Sequence, residues 1–204
     1  MKTASGTSLD RRVKRTKTRL RSALVGLILE RGWDAVSVLD VCERAEVGRS
    51  TFYLHFADKE DLLVSGFDDL LEELHAHRRR AVGTFAFVEA LIEHAHGNIR
   101  LHRAIVGGKS GPVVHRRLRD VITKLVEAEL GSLGVDENQR SATARYMSGG
   151  LFELLVGWVE TARRAEPGVL ADTFRKLAHA TLGRAHPGSR AIEPLRSAAP
   201  RSLR

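Results

Sequence analysis

Apolar residues recur at helical spacing along the whole chain, and this periodicity restricts the fold more than any other feature. The first clear run is stopped by Gly32 and predicts a helix from about Val13 to Arg31. No stretch alternates between apolar and polar residues as a strand does, and no internal repeat or glycine-rich nucleotide loop is present. The sequence therefore predicts an all-α fold. The residues of the first run are Leu20, Ala23, Leu24, Leu27 and Ile28.

Capping residues divide the following segment into short helices. Ser37 is suited to cap a helix over 38–45, and a turn at 46–48 leads into a helix over 49–56. Asp58 is suited to cap the next helix, which carries Leu63 on its apolar stripe. A first helix followed by two short helices joined by a tight turn is typical of a helix-turn-helix.

Longer helices are predicted for the rest of the chain. One covers about 84–103, and a second runs from a Gly/Pro break at 107–112 to about 130. A third begins at the cap Asp136 and extends to about 165, and a last one ends near 183. The predicted architecture is a three-helix N-terminal domain followed by a larger helical domain.

Positive charge is concentrated at the two ends of the chain. The net charge is +8, yet residues 1–21 hold eight Lys or Arg against one Asp, and residues 184–204 hold five Arg against one Glu. The part between them is therefore mildly acidic. Such ends suit a polyanion, although a solvated tail that binds nothing has the same composition. The predicted divisions are a flexible basic arm (1–12), a helix-turn-helix domain (13–63), a ligand-binding and dimerisation domain (64–183) and a disordered basic tail (184–204).

Several function classes are disfavoured by what the sequence lacks. The lone Cys42 provides neither a disulfide framework nor a multi-cysteine zinc site, and it favours a reducing, cytoplasmic location. No apolar run approaches the roughly 18 residues of a transmembrane helix. The histidine pairs 75/77 and 94/96 are spaced i, i+2, so on helices they point apart and predict no metal site. Neither a catalytic motif nor a cofactor motif is present, so we expect no enzyme and no cofactor.

The chain places several of its few aromatic residues in one short segment. Phe52 and Phe56 follow the helical spacing and are expected to point into a core. The other face of the same helix would carry Arg49, Tyr53 and His55, with Ser50 and Thr51 between them. These side chains are hydrogen-bond donors suited to phosphates and base edges in a major groove.

The segment "VLDVCERAEVGRSTFYLHFADKEDLL" resembles the N-terminal DNA-binding domain of the TetR/AcrR family of bacterial transcriptional regulators. The resemblance covers about 50 residues, from Arg15 to Leu63. It implies a homodimer that places two such domains in successive major grooves of a pseudo-palindromic operator. Two departures are Cys42, where the family usually has Ala, and Glu46 in the turn, where it usually has Gly. The implied contacts are base edges for Arg49, Ser50 and Tyr53, and phosphates for Ser37, Thr51, His55 and Lys59.

The last two predicted helices resemble, in pattern only, a subset of this family that includes regulators around dihydroxyacetone kinase. The resemblance implies that they form a four-helix interface with a second copy. Glycines would permit close helix approach there, and large apolar residues would supply contact area. The alternative is that the apolar stripe belongs to the core of one chain. The candidate interface residues are Gly149, Gly150, Leu151, Leu154, Gly157, Trp158 and Phe174.

The apolar residues between the two regions form a candidate pocket for a small apolar or amphipathic effector. A dozen such residues also suit a filled helical core, and the sequence does not distinguish the two arrangements. The candidate pocket residues are Phe67, Leu70, Leu74, Phe87, Leu91, Ile122 and Phe152.

Together these observations predict a sequence-specific DNA-binding regulator. The favoured interpretation is a homodimeric repressor that an effector releases from double-stranded DNA. The alternative is a degenerate relative that acts as a protein-interaction module or as a coactivator-dependent activator. The donor residues around Arg49 and Tyr53 favour the first, because a degenerate copy is expected to lose them.

Overall fold

The structure is a computed structural model that describes residues 4–106, 110–161 and 164–183, and every regular element within them is an α-helix. The predicted all-α fold is therefore confirmed. None of these helices is both long and apolar enough to cross a membrane. The predicted basic tail over 184–204 lies outside the described residues. The helices are α1 (Ala4–Arg31), α2 (Val38–Ala45), α3 (Arg49–His55), α4 (Lys59–Val64), α5 (Gly66–Arg80), α6 (Phe87–Gly97), α7 (Ile99–Val106), α8 (Gly111–Ser132), α9 (Glu137–Glu160) and α10 (Pro167–Gly183).

Several helix boundaries differ from the sequence prediction, and the helix predicted after Asp58 is divided at Ser65 into α4 and α5. The first helix begins at Ala4, so most of the segment predicted as a flexible arm is helical, although its Ser, Gly, Thr and Asp residues have modest helix propensity. The helix predicted over 84–103 is divided at Asn98, whose side-chain amide donates to the His94 carbonyl at 2.8 Å. The long helix α9 ends at Glu160 rather than near 165.

The helices enclose two clusters of buried apolar side chains. The first cluster is formed mainly by α1 to α4, and it also receives Ile105 from α7 and Val114 from α8. The second is formed by α5, α6, α8, α9 and α10, together with Phe85 from the α5–α6 loop. Phe67 of α5 packs against both clusters. The small N-terminal helices are therefore in direct contact with the larger helical part.

Candidate nucleic-acid interface and ligand cavity

The turn between α2 and α3 contains a non-glycine residue in the left-handed conformation. Glu46 has φ 50° and ψ 47°, and its amide donates to the Glu43 carbonyl at 3.1 Å. The following amide, of Val47, donates to the Cys42 carbonyl at 3.0 Å. A left-handed residue other than glycine costs on the order of 1 kcal/mol. The Glu46 carboxylate also pairs with Arg19 of α1 at 2.9 Å, so the residue that departs from the family pattern ties the turn to α1.

Helix α3 has one buried and one exposed face, as predicted. Phe52 is completely buried and Phe56 nearly so. Arg49 and Ser50 are exposed, and the Tyr53 side chain is 52% exposed. Thr51 and His55 are half-buried at the edges of the exposed face. The structure thus brings the predicted donors together on one short helix, while their contacts with DNA stay predictions.

Leu54 is an exposed apolar residue on the same face that the sequence analysis overlooked. Its side chain is 78% exposed and lies one helical turn after Ser50. The signal in the sequence was available, because Leu54 falls outside the spacing that takes Phe52 and Phe56 into the core. A large apolar side chain in such a position is suited to contact the methyl group of thymine.

Ser37 caps α2, and its hydroxyl is already engaged in that role. The hydroxyl accepts from the Asp40 amide at 3.2 Å and donates to the Asp40 carboxylate at 2.5 Å, while the Ser37 amide donates to the same carboxylate. These hydrogen bonds from Ser37 lower the pKa of Asp40. The predicted capping role is confirmed. A phosphate at Ser37 would have to compete with Asp40 for the hydroxyl proton.

Lys59 is held by the protein backbone rather than extended into solvent. Its ammonium group donates to the carbonyls of Trp33 at 2.8 Å and Val36 at 2.6 Å, and it lies 4.5 Å from the centre of the Trp33 ring. This burial lowers the pKa of Lys59. An ammonium group has three protons, so one remains for a phosphate. The sequence could not reveal these hydrogen bonds, because Trp33 and Val36 are distant from Lys59 in sequence and approach it only in the folded protein.

The basic N-terminal half of α1 lies near the end of α3. The Lys17 ammonium lies 5.7 Å from the centre of the Phe56 ring, directly after α3. Arg12, Lys14 and Arg15 of the same helix are exposed. Part of the positive charge of α1 therefore lies close to the C-terminal end of α3, where it can add to the attraction of a polyanion.

A cavity of about 300 Å³ lies between α1, α5, α6, α7 and α8, and only part of the predicted pocket contributes to it. Phe67, Leu70 and Leu91 line this cavity. The other predicted pocket residues do not: Leu74, Phe87, Ile122 and Phe152 are buried in the packed second cluster. Those four residues therefore lie in packed core and not at this cavity, because helical periodicity identifies a buried face without telling whether the opposing helix fills it.

Polar side chains that the sequence analysis missed also line the same cavity, and three of them are regularly spaced. His94, Asn98 and His102 follow one another at intervals of four residues across the α6–α7 junction. This spacing was visible in the sequence but was overlooked, because the histidines were compared only as close pairs. Within the described residues neither imidazole makes a side-chain hydrogen bond, and no group of three or more His, Cys, Asp or Glu could hold a metal ion.

Acid should destabilise the fold through His102. Burial, followed by the neighbouring His94 and His115, lowers the pKa of His102 from 6.5 to about 4. Between pH 6.5 and about pH 4 the unfolded chain therefore binds more protons than the folded protein, so the free energy of unfolding falls as the pH drops through this range. The expected loss in the free energy of unfolding is about 3 kcal/mol. Urea unfolding of His102→Leu and of the unchanged protein at pH 7 and pH 4 measures it.

We expect the free energy of unfolding to fall less between pH 7 and pH 4 in His102→Leu than in the unchanged protein. The matched control is His77→Leu, which removes an exposed imidazole from α5 and should follow the unchanged protein. Equal acid sensitivity in all three proteins would contradict the assignment to His102.

The candidate dimer residues fall on two different faces of their helices. Leu151 and Trp158 of α9 and Phe174 of α10 are buried within the chain, so their assignment to an intermolecular surface was wrong. They belong to the core, which was the alternative interpretation. Gly149, Gly150 and Gly157 have no atom within 4 Å of the position of an added Cβ, and Leu154 is half-buried. Tyr146, with 71% of its side chain exposed, lies on the same face as the glycines.

The N-terminal domain matches a known protein family. Residues 20–65 match the family model described as bacterial regulatory proteins of the tetR family. The HTH-type transcriptional regulator YxbF of Bacillus subtilis (strain 168) is 26% identical over 177 residues, which are 81% of this chain. The chain spans only 45% of the length of that relative.

Solved structures share the fold over more than four fifths of this chain at low sequence identity. A TetR transcriptional regulator from Streptococcus agalactiae 2603V superposes with a TM-score of 0.60 at 21% identity, over 85% of this chain and 99% of that one. The dihydroxyacetone kinase operon activator DhaS superposes with a TM-score of 0.66 at 16% identity, over 83% of this chain and 97% of that one. At these identities the comparison shows the fold.

Proposed function

The chain belongs to the TetR family of bacterial transcriptional regulators, and from that premise we propose that it binds a pseudo-palindromic operator as a homodimer and represses neighbouring genes. Members of this family regulate transcription and are not enzymes. The observation that carries the proposal is the exposed face of α3, where Arg49, Ser50 and Tyr53 stand opposite the buried Phe52. A helix so anchored can enter a major groove without unfolding its own core.

The exposure of the individual residues supports the roles that we propose for them. Arg49, Ser50 and Tyr53 would contact base edges, and Leu54 would contact a thymine methyl group. The half-buried Thr51 and His55 at the edges of the face would contact phosphates, as would the remaining proton of Lys59. Ser37 would join them only if a phosphate replaces Asp40 as the acceptor of its hydroxyl.

The sequence preference can be determined by selecting random duplex DNA with the purified protein at about 150 mM salt, where charge screening is already strong. Enrichment of an inverted repeat is the expected result, because a two-fold dimer reads two equivalent half-sites. Binding that shows no sequence preference and only fades with salt would contradict the proposal and favour a protein-interaction module. A reporter gene placed behind the selected site would then distinguish repression from activation. Activation is the alternative to test because the structurally similar DhaS is named an operon activator.

The exposed faces of α9 and α10 support a dimer. On α9 this face contains Tyr146 and three glycines with open space above them, and on α10 it contains Val169 and Leu177, both more than half exposed. Exposed apolar side chains beside glycines suit the close approach of helices from a second copy. The proposed interface therefore uses the outward faces of the two helices, and not Leu151, Trp158 or Phe174.

Gly150→Arg should convert the dimer into a monomer. The new side chain would meet no atom of its own chain, and replacing a helical glycine should stabilise α9 by about 0.5–1 kcal/mol. Sedimentation velocity at micromolar concentration measures the change in mass. Gly97→Arg is the control, because Gly97 is also an exposed helical glycine with open space around it. A Gly150→Arg protein that sediments as a dimer would place the interface elsewhere.

We further propose that a small molecule in the cavity releases the protein from its operator in the cytoplasm. The position of the cavity supports this proposal, because its wall includes Arg21, Leu24 and Val25 of α1 as well as residues of the larger helical part. A ligand there would contact both parts of the molecule and could bind one of their relative arrangements in preference to another.

A further inference from the structure

We propose that the cavity binds an uncharged amphiphile, an apolar molecule that carries a hydroxyl, carbonyl or amide oxygen, in preference to the corresponding carboxylate. This inference rests on the effector site proposed above and specifies its chemistry. Two observations support it. Polar groups without hydrogen-bond partners lie on an apolar wall, and the described residues around the cavity include no cation without a counter-charge.

Most of the cavity wall is apolar. Leu24, Leu63, Leu91 and Ile105 line it, and its volume of about 300 Å³ is at the lower end of the usual range for ligand pockets. A second cavity of about 250 Å³ shares His102, Leu118 and Leu155 with the first. The shared wall places the two spaces side by side, and the first alone has room for a small ligand. Burial of the apolar body would supply most of the affinity.

Polar groups in the wall lack hydrogen-bond partners. The Nε atom of Arg21 is buried, and no partner for it exists in the described part of the protein. The imidazoles of His94 and His102 are without hydrogen bonds there as well, as described above. Buried polar groups usually have partners, and leaving them unpaired is costly. An oxygen of a ligand can accept from an imidazole N–H group of the wall, and from the Arg21 Nε–H group once the Arg21 side chain shifts to expose it.

The charges around the first cavity oppose a carboxylate. The Arg21 guanidinium is already paired with Asp69 through a contact of 2.5 Å between Nη1 and Oδ2. The remaining charged residue in the lining is Glu73, which is also acidic. Burial lowers the pKa of both His94 and His102, so the imidazoles are neutral near pH 7. A buried carboxylate would therefore meet two acidic groups and one cation that is already neutralised.

The charged residues around the second cavity do not favour a carboxylate either. The charged residues in its wall are Arg103 and Glu160, one of each sign. The Arg103 guanidinium donates to the Val159 carbonyl at 3.2 Å. The charge pattern of both cavities therefore favours a neutral ligand, while the unpartnered donors of the first cavity favour one with an oxygen acceptor.

The test uses three ligands with the same alkyl chain: 1-octanol, octanamide and octanoate. Their binding to the purified full chain is measured at pH 7.5 without DNA, by calorimetry. We expect the dissociation constant of octanamide or 1-octanol to be at least about tenfold below that of octanoate. Octanoate binding as tight as that of the neutral ligands would overturn the proposal, and so would a failure of all three to bind.

Two neighbouring acidic residues provide a matched pair of variants. Glu73→Gln removes a negative charge from the cavity wall, so it should raise octanoate affinity several-fold and leave octanamide affinity unchanged. Glu72→Gln removes the same charge from an exposed position outside the wall and should change neither. Both substitutions are nearly isosteric, which protects the fold. Identical effects of the two variants on octanoate would show that the selectivity does not originate in the cavity.

The polar wall is tested separately from the charges. Asn98→Leu and His102→Phe should weaken octanamide more than octanoate and so reduce the discrimination. Because ligand binding is measured without DNA and operator selection without ligand, the two proposals can fail independently. A protein that binds an inverted repeat but prefers octanoate would retain the proposed regulatory function and lose the ligand class.

Discussion

Replacing Glu129 with alanine should lower the free energy of unfolding by about 3 kcal/mol, because it removes a buried carboxylate that has two partners. Glu129 is 6% exposed. One of its oxygens accepts from the Phe85 amide at 2.8 Å, and the other lies 3.3 Å from the Arg78 guanidinium. Without the carboxylate, the Phe85 amide is buried without a partner and Arg78 loses its counter-charge.

The backbone at Phe85 increases the expected effect. Phe85 adopts a left-handed conformation with φ 55°, although its side chain is completely buried against the rings of Phe87 and Phe174. A non-glycine residue in this region is strained, so the surrounding contacts must hold it there. The Glu129 carboxylate is the side chain that binds its amide.

Urea unfolding followed by circular dichroism measures this prediction. Glu129→Gln keeps an acceptor for the Phe85 amide and removes only the charge. Its decrease in the free energy of unfolding should therefore be smaller than that of Glu129→Ala. Glu127→Ala on the same helix is the control, since this residue is less buried. Equal losses for Glu127→Ala and Glu129→Ala would contradict the role assigned to the buried carboxylate.

The second large effect is expected for Tyr53→Ala, which should weaken operator binding by about 10- to 100-fold, the range of a lost base contact. The fold should survive, because the ring lies on the outside and meets Phe52 edge-on at 5.3 Å between centres. Fluorescence anisotropy with the selected operator measures the affinity. The salt dependence should stay the same, because a base contact releases no counterion.

Two companion variants define the contact. Tyr53→Phe retains the ring and removes the hydroxyl, so it shows which of them the DNA recognises. Arg12→Ala removes an exposed charge from α1 and should instead reduce the salt dependence. A thermal melt of each variant verifies folding. If Tyr53→Ala binds the operator with unchanged affinity, Tyr53 does not contact the bases.

Much of the local structure could be predicted from the sequence. Ser37, Asp58 and Asp136 each cap the helix that was expected to follow them, and Phe52 and Phe56 are buried as their spacing indicated. These features depend on residues within a few positions of one another. The hydrogen bonds of a cap and the direction of a side chain on a helix are fixed by local geometry, so a single sequence is sufficient to predict them.

Contacts between residues that are distant in sequence were decided only by the tertiary structure. Lys59 is held by carbonyls that lie far from it in sequence, and Leu151 and Trp158 are in the core rather than on the surface of α9. Likewise, a cavity exists beside Leu91 while Ile122 lies in packed core. Helical periodicity determines which side of a helix is apolar. It does not determine which helix covers that side, or how completely, because this depends on the packing of side chains that are distant in sequence.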